Sequence, residues 1–276
     1  MTDKTILEFT KMQGAGNDFI LFDNRTTRFS EQQIEALAPV LCDRKFGIGS
    51  DGIIALEYDA SKKADLVMAY KNPDGSDAGM CGNGARCFAA YAVTLGCPSD
   101  FTFKVHDKIY RAEVNGEMAT IHFPLETSVK STLIDNKEYL EVYTNTEHIV
   151  CSATPKQLLN EDRFRKKGRE LRCHSEFEPK GTNVNFIRGL EADSLELQTY
   201  ERGVENLTYA CGTGAIASAL AWHHLQDRDS GEYKFEVNVK GGTLTVYFTF
   251  HSTTKKYSAV SLEGPAVFVF EGHYVL

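Results

Sequence analysis

Two cysteines have nearly identical sequence surroundings in the two halves of the chain. Cys81 opens the segment CGNGARCFAAYAVTLG and Cys211 opens CGTGAIASALAWHHL, so each precedes Gly-Asn/Thr-Gly-Ala and an alanine-rich apolar stretch. Nearly half of the 276 residues separate them. A repeat at this spacing indicates a duplicated domain. Chance recurrence of small residues at helix starts is the alternative, and the turn-prone segment before each cysteine favours duplication.

Both alanine-rich stretches are predicted to be buried helices, because a helix that is apolar nearly all round has no face for solvent. The cysteine would then lie at the helix N-terminus, where unpaired N–H groups and the helix dipole stabilise a thiolate. We expect the glycines of each motif to leave these N–H groups accessible to an anionic ligand; they are Gly82, Gly84, Gly212 and Gly214.

Two such thiols on opposite sides of one carbon would perform stereoinversion. One thiolate would remove a proton while the opposite thiol returned one to the other face, so no cofactor would be required. The pattern therefore predicts a cofactor-independent racemase or epimerase. A pair of inert buried cysteines is the structural alternative. A cysteine peptidase would require one cysteine with a histidine and gives no reason for the duplication.

Composition excludes several other classes. A formal net charge of −8 disfavours nucleic acid and acidic membranes as partners. No apolar run reaches the ~18 residues of a membrane span, and the N-terminal residues lack a signal-peptide pattern, so we expect a cytoplasmic protein. The chain has no CxxC pair, so no metal site is predicted. The odd number of cysteines argues against a disulfide framework, and the remaining ones are expected to be reduced and inert: Cys42, Cys87, Cys97, Cys151 and Cys173.

Short β-rich runs with few helices between them indicate an α+β fold. Ser30–Leu41 is predicted to be an amphipathic helix with Ser30 as its N-cap. The glycine-rich segment GIGSDG (47–52) formally fits a dinucleotide-binding motif, but it is predicted to be a turn that enters a strand. The β-rich runs are Ile20–Asp23, Ile53–Leu56, Leu66–Tyr70, Met118–Phe123, Glu196–Tyr200, Thr243–Phe250 and Ala266–Phe270.

The motifs resemble those of the diaminopimelate epimerase family, which works without pyridoxal phosphate. The resemblance extends over the whole chain and is carried by FTKMQGAGNDFI (9–20), FGIGSDG (46–52), NPDGSDAGMCGNGARC (72–87), TNVNFI (182–187), YERGVENLTYACGTGA (200–215) and LEGPAVFVFEG (262–272).

The resemblance implies two pseudo-symmetric domains, each a mixed β-barrel around a central helix, with the site at their interface. We expect residues 1–124 plus 264–276 to form the domain of Cys81, and residues 125–263 to form that of Cys211. It further implies a homodimer, in which Phe270 would lie at the contact between subunits.

The resemblance also implies roles for individual residues in binding and interconverting LL- and meso-diaminopimelate. Cys81 and Cys211 match the acid/base pair, and His148 and Glu201 match groups that tune the thiols. The positions that match substrate-binding residues are Asn17, Asn72, Gly82, Asn83, Asn183, Glu201, Arg202, Gly212 and Thr213. As alternatives, the asparagines would be turn residues, Glu201–Arg202 a surface ion pair, and His148 a structural histidine. His223 and His224 are predicted to be structural.

The sequence departs from the family pattern at two places. Thr146-Glu147 precede His148 where the family commonly has Asn or a small residue followed by Pro. Gly52 stands where some members have a substrate-contacting Gln. Both departures concern substrate fit, and they leave two alternatives open: a racemase of the same fold for another amino acid, and a non-catalytic relative that keeps the pocket.

Overall fold

The computed structural model describes residues 5–153 and 161–276. Contacts between residues divide the chain into two compact units. Unit 1 consists of Met1–Ile121 and Gly264–Leu276, and unit 2 consists of His122–Glu263. The C-terminal segment thus returns to the unit in which the chain begins.

Strands dominate both units, as the alternating runs of the sequence predict. The described helices are α1 (Asn24–Thr27), α2 (Glu31–Cys42), α3 (Gly82–Thr94), α4 (Glu161–Arg172) and α5 (Gly212–His224), with a short 3₁₀ helix at Ser175–Phe177. The described strands are β1 (Ile6–Gly14), β2 (Asn17–Asp23), β3 (Ile53–Tyr58), β4 (Leu66–Lys71), β5 (Asp100–Val105), β6 (Lys108–Asn115), β7 (Met118–His122), β8 (Thr127–Ile134), β9 (Lys137–Tyr143), β10 (Glu147–Ser152), β11 (Asn183–Glu191), β12 (Ser194–Glu201), β13 (Asn206–Leu207), β14 (Gly231–Val239), β15 (Gly242–His251), β16 (Lys256–Pro265) and β17 (Val267–Val275).

Unit 1 is a mixed sheet on which α3 packs. The strands pair in the order β17–β1–β2–β3–β4–β5–β6, where β2–β3 and β4–β5 are parallel and the other pairs are antiparallel. Helix α3 contacts β1, β2 and β3, and also β6 at the far end of this order. One helix contacts strands near both ends of the order because the sheet curls around it.

Unit 2 encloses α5 in a closed sheet. The strands pair in the order β8–β9–β10–β11–β12–β14–β15–β16, and β16 pairs with β8 to complete the circle. The pairs β10–β11 and β12–β14 are parallel. Helix α5 contacts strands around this circle from β8 to β15.

The two units repeat one pattern of strand pairing. From β1 to β6 the successive pairs are antiparallel, parallel, antiparallel, parallel and antiparallel, and the pairs from β9 through β12 and β14 to β15 follow the same order. The alanine-rich helix follows the third of these pairs in each unit. The predicted α+β fold with two similar halves is confirmed, and a shared pairing order is what duplication of one domain produces.

Local signals also match the structure. Ser30 caps α2 through a capping box with Gln33, and Pro39 is tolerated inside that helix. The segment 47–52 follows the end of α2 and leads into β3, so it is the predicted turn and lacks the preceding strand of a dinucleotide-binding motif. Within the described residues no helix is long and apolar enough to cross a membrane.

Candidate active site

Cys81 and Cys211 are the N-cap residues of α3 and α5, as the motifs predict. Both have an extended backbone, with φ −111° and ψ 113° for Cys81 and φ −123° and ψ 111° for Cys211. Their carbonyls accept the first helical hydrogen bonds from Ala85 and Ala215, each at 2.8 Å. Each sulfur therefore lies beside a first helical turn, whose leading N–H groups have no partner within the helix.

The last glycine of each motif lies close to strand side chains. A Cβ on Gly84 would lie 3.1 Å from Ile54 Cδ1, and one on Gly214 would lie 2.6 Å from Asn185 Oδ1. These glycines let strand side chains pack closely against the helix, and their role in ligand access stays a prediction.

In unit 1 a fixed network of amides surrounds Cys81. Asn17 Nδ2 donates to Asp51 Oδ2 at 2.7 Å, so its carbonyl Oδ1 faces the opposite way. That oxygen accepts from Asn83 Nδ2 at 3.2 Å and from Cys81 Sγ at 3.6 Å. Arg86 Nη2 donates to Asn83 Oδ1 at 3.0 Å and thereby fixes the second amide. The structure thus brings two predicted site residues, Asn17 and Asn83, to Cys81.

In unit 2 a hydroxyl and an imidazole take the corresponding place beside Cys211. The sulfur lies 3.6 Å from Thr213 Oγ1, which is 3.0 Å from His148 Nε2. The other ring nitrogen of His148 lies 3.0 Å from Asn185 Nδ2. His148 is 2% exposed. Sequence reasoning paired His148 with a thiol, and the structure connects it to Cys211 through Thr213.

The imidazole of His148 is neutral. Burial, reinforced by the charge of Arg202, lowers its pKa to about 3. At neutral pH His148 therefore offers hydrogen bonds and no positive charge.

Asn183, Arg202 and the departures from the family pattern form a second cluster in unit 2. Asn183 Oδ1 accepts from the backbone N–H of Arg202 at 2.9 Å, and its Nδ2 donates to Glu147 O at 3.0 Å. The guanidinium of Arg202 contacts Glu147 Oε2 at 2.9 Å and Thr146 Oγ1 at 2.7 Å. Burial acts to raise the pKa of Glu147, but hydrogen bonds from its backbone and from Arg202 outweigh it and lower that pKa. Glu147 is thus a charged partner of Arg202, and the surface pair of Glu201 with Arg202 stays an alternative.

Glu201 and Asn72 lie at the ends of strands. Glu201 closes β12, where it is half-buried and pairs in register with Asn206 of β13. Asn72 lies in a turn, since its amide donates to Ser76 Oγ at 3.1 Å and to Asp77 O at 3.4 Å. Asn72 therefore has the turn contacts of the alternative interpretation, and any role in binding substrate stays a prediction.

Tyr70 explains why position 52 has no side chain. A Cβ on Gly52 would lie 2.4 Å from Tyr70 Cε2 and 2.8 Å from Lys71 O. Phe19 packs edge-on against the same tyrosine ring, with centroids 5.7 Å apart. A glutamine at position 52 would therefore require Tyr70 to move.

All seven cysteines lie in the described part of the chain, and none of them forms a disulfide bond there. Burial raises the pKa of Cys87 and of Cys151 to about 12, as expected for thiols that are chemically inert at neutral pH. Cys173 is exposed. His223 is buried, as a structural histidine should be, and it accepts or donates a 3.1 Å bond with Tyr257.

Four residues around the two cysteines were not singled out from the sequence: Asp51, Arg86, Asn185 and Thr199. Asn185 follows Asn183 by two residues in β11, and residues two apart in a strand share a face, so alternation could have identified it. Arg86 lies three residues after Asn83 on the same helix, whereas Asp51 and Thr199 are brought in by contacts with residues distant in sequence. In residues 5–153 and 161–276 no group of three or more His, Cys, Asp or Glu converges as metal ligands would.

The family model described as diaminopimelate epimerase matches residues 9–123 and 141–269. This chain belongs to the diaminopimelate epimerase family. A protein of Flavobacterium psychrophilum named diaminopimelate epimerase is 38% identical over 96% of this chain and 99% of its own length. A protein of the same name from Aquifex aeolicus is 35% identical over 96% of this chain and 97% of its own. Enzymes of this name are isomerases.

Solved structures share the fold at low sequence identity. A phenazine biosynthesis protein of the PhzF family from Bacillus anthracis has a TM-score of 0.73 and 14% identity, covering 99% of this chain and 100% of its own. A hydroxyproline epimerase from Agrobacterium vitis, solved with trans-4-hydroxy-L-proline, has a TM-score of 0.71 and 13% identity, covering 100% of this chain and 94% of its own. At these sequence identities the similarity shows that the proteins share a fold.

Proposed function

We propose that this protein interconverts LL- and meso-diaminopimelate by proton transfer at the α-carbon, with Cys81 and Cys211 as the two acid/base groups. The observation that carries the proposal is that both cysteines are the N-cap residues of equivalent buried helices in units with the same strand pairing. Membership of the diaminopimelate epimerase family supplies the substrate.

The reaction needs one thiolate and one thiol at the start. The thiolate takes the α-proton and becomes a thiol, while the opposite thiol gives its proton to the other face of the carbon and becomes a thiolate. The net charge of the two cysteines is unchanged, and their roles as base and acid exchange when the reaction runs in the opposite direction. First-turn N–H groups at Gly82, Asn83, Gly212 and Thr213 suit the substrate carboxylate and the charge that develops on it, because such donors are already oriented.

The distal amino-acid end of the substrate would contact the cluster around Arg202. A guanidinium binds a carboxylate through two parallel hydrogen bonds, and Asn183, Asn72, Asn17 and Glu201 supply amide and carboxylate groups for an ammonium or a second carboxylate. The carboxylate oxygen Oε2 of Glu147 lies 2.9 Å from Arg202 Nη1, so it orients the guanidinium and compensates part of the positive charge of Arg202.

A racemase of the same fold for another amino acid is the second candidate. Two observations favour it: Glu147 already pairs with Arg202, and Tyr70 occupies the space above Gly52. A non-catalytic amino-acid-binding relative is the third.

Incubation of the purified protein with LL-diaminopimelate in deuterium oxide separates these candidates. We expect meso product with deuterium at the α-carbon, and neither pyridoxal phosphate nor a chelator should change the rate, since the two thiols supply both proton transfers. Absence of both product and label would eliminate the diaminopimelate activity, and turnover of another amino acid would favour the second candidate.

The Cys81→Ser and Cys211→Ser proteins test the assignment of the two bases. Each should lose epimerisation, because a serine hydroxyl is far less acidic than a thiol and cannot supply the anion. Cys173→Ser is the matched control, since that thiol is exposed and remote in sequence from both helix starts. Unchanged turnover in either active-site variant would refute the two-base assignment.

We further propose a homodimer and a role in lysine and cell-wall precursor synthesis in the cytoplasm. Phe268, Val269 and Phe270 are 42%, 53% and 47% exposed on the closing strand β17. Contiguous exposed apolar residues of this kind are typical of a protein interface. Phe270→Glu should convert a dimer into monomers in sedimentation velocity, and an unchanged sedimentation coefficient would contradict this contact.

A further inference from the structure

A chain of hydrogen bonds with a fixed direction ends at the sulfur of Cys211. It begins at the amide of Asn185, which is fully buried. Asn185 Nδ2 lies 3.0 Å from the carbonyl oxygen of Ile149, and a carbonyl can only accept. The nearer end of the amide must therefore be the NH₂ group. The hydroxyl of Thr199 donates to the other end, Oδ1, at 2.9 Å.

The amide fixes the tautomer of His148. The same NH₂ group lies 3.0 Å from His148 Nδ1, so this nitrogen must accept and cannot carry a proton. A neutral imidazole then carries its proton on Nε2. The low pKa of His148, due to burial and to the nearby charge of Arg202, agrees with a neutral ring.

The tautomer in turn directs the hydroxyl of Thr213. His148 Nε2–H donates to Thr213 Oγ1 at 3.0 Å, so the hydroxyl oxygen already accepts from the ring. The proton of that hydroxyl is left for its other neighbour, Cys211 Sγ, at 3.6 Å. A thiolate is a much better acceptor than a thiol, so a hydroxyl that donates to sulfur favours the thiolate.

We propose that Asn185 is a positioning residue that fixes the tautomer of His148 and so turns the Thr213 hydroxyl toward Cys211, which stabilises the thiolate of that cysteine. The catalytic meaning of this relay rests on the proposed function, whereas the relay itself does not. It also explains Gly214, because a Cβ there would lie 2.6 Å from Asn185 Oδ1 and displace the amide.

Cys81 provides an internal control for the relay. Its sulfur lies 3.6 Å from the carbonyl Oδ1 of Asn17, an acceptor fixed by Asp51, whereas the relay of unit 2 presents a hydroxyl to Cys211. The fully buried guanidinium of Arg86 interacts electrostatically with Cys81. Changes in the relay of unit 2 should leave these contacts unaltered.

The test measures each thiol without substrate. The intact protein is alkylated with iodoacetamide at a series of pH values, and peptide mass spectrometry gives the rate for Cys211 and for Cys81. The pH midpoint of each rate profile reports the ionisation of that thiol independently of its accessibility. Thr213→Val removes the hydroxyl at nearly constant volume, Thr213→Ser retains it, and Asn185→Leu removes the amide at nearly constant shape.

We expect the Cys211 midpoint to rise by about half to one pH unit in Thr213→Val and in Asn185→Leu, which corresponds to one lost hydrogen bond. Thr213→Ser should keep the wild-type midpoint, and Cys81 should not shift in any variant. Thermal melts establish that each variant is folded. An unchanged Cys211 midpoint in folded Thr213→Val would overturn the relay.

A second measurement keeps the proposal falsifiable if Asn185→Leu does not fold. Side-chain ¹⁵N spectra of the wild-type protein, assigned with His148→Gln, should show the proton of His148 on Nε2 at neutral pH. A proton on Nδ1, or on both nitrogens, would overturn the role of Asn185. Because neither measurement uses substrate, failure of the diaminopimelate activity would leave both results interpretable.

Discussion

Two buried histidines should make unit 2 sensitive to mild acid. His148 is 2% exposed and His223 is 1% exposed. Burial, with the charge of Arg202, lowers the pKa of His148 to about 3. Burial, with the charge of Arg228, lowers the pKa of His223 to about 4. His223 is enclosed by aromatic rings and shares a 3.1 Å hydrogen bond with Tyr257, an environment that suits the neutral imidazole.

Stability decreases with falling pH because the unfolded chain binds protons at these histidines at a higher pH than the folded protein does. In the unfolded chain both histidines titrate near the ordinary value of about 6.5, while in the folded protein they stay neutral down to pH 4 or below. Stability is therefore complete above about pH 6.5 and falls as the pH decreases. At pH 5 each histidine costs about 2 kcal/mol, so the pair costs about 4 kcal/mol, a large part of the ~5–15 kcal/mol typical of a domain.

Urea unfolding between pH 7.5 and pH 5 measures this loss. The chain has one tryptophan, Trp222, which precedes His223 on α5, so its fluorescence reports on unit 2. We expect the free energy of unfolding to fall by about 4 kcal/mol between these limits. His223→Phe should remove about half of that pH dependence, whereas the half-buried neighbour variant His224→Gln should retain it.

A free energy of unfolding that stays constant from pH 7.5 to pH 5 would refute the reasoning. A His223→Phe protein with the wild-type pH dependence would refute it too, because the proton taken up on unfolding would then bind to a group other than His223.

Two further predictions concern packing and thiol reactivity. Gly214→Ala should destabilise the protein by about 1–3 kcal/mol in urea unfolding, since its Cβ would lie 2.6 Å from Asn185 Oδ1, while Gly79→Ala, where nothing lies within 4 Å, should not. Equal stability of these two variants would contradict the close approach. Cys87 and Cys151 should resist iodoacetamide at pH 8 in the native protein, because burial raises the pKa of each to about 12; modification of either as fast as a free thiol, measured by peptide mass spectrometry, would contradict this.

The helix starts could be predicted because their signals are local. A cysteine before Gly-x-Gly-Ala and an apolar alanine-rich run determine both the N-cap and the buried helix within about fifteen residues, and Cys81 and Cys211 lie there. The capping box at Ser30 is equally local. The duplication was visible because both copies retain the same small residues at the point where strand and helix pack most closely.

The polar networks could not be predicted because they depend on strand register. Asn185 meets His148 only because β10 and β11 pair in parallel, with Asn185 in register with Val150. The contact between Arg202 and Glu147 has no local signal either, because the two residues lie 55 residues apart along the chain.

The distribution of deuterium during the first turnovers tests the two-base claim most directly. When LL-diaminopimelate reacts in deuterium oxide, a thiol on the opposite face delivers solvent deuterium to the product, while recovered substrate has not exchanged. We therefore expect fully labelled meso product beside unlabelled LL substrate at early times. Protium retained in the product, or equal label in product and recovered substrate, would indicate a single base and would contradict the roles assigned to Cys81 and Cys211.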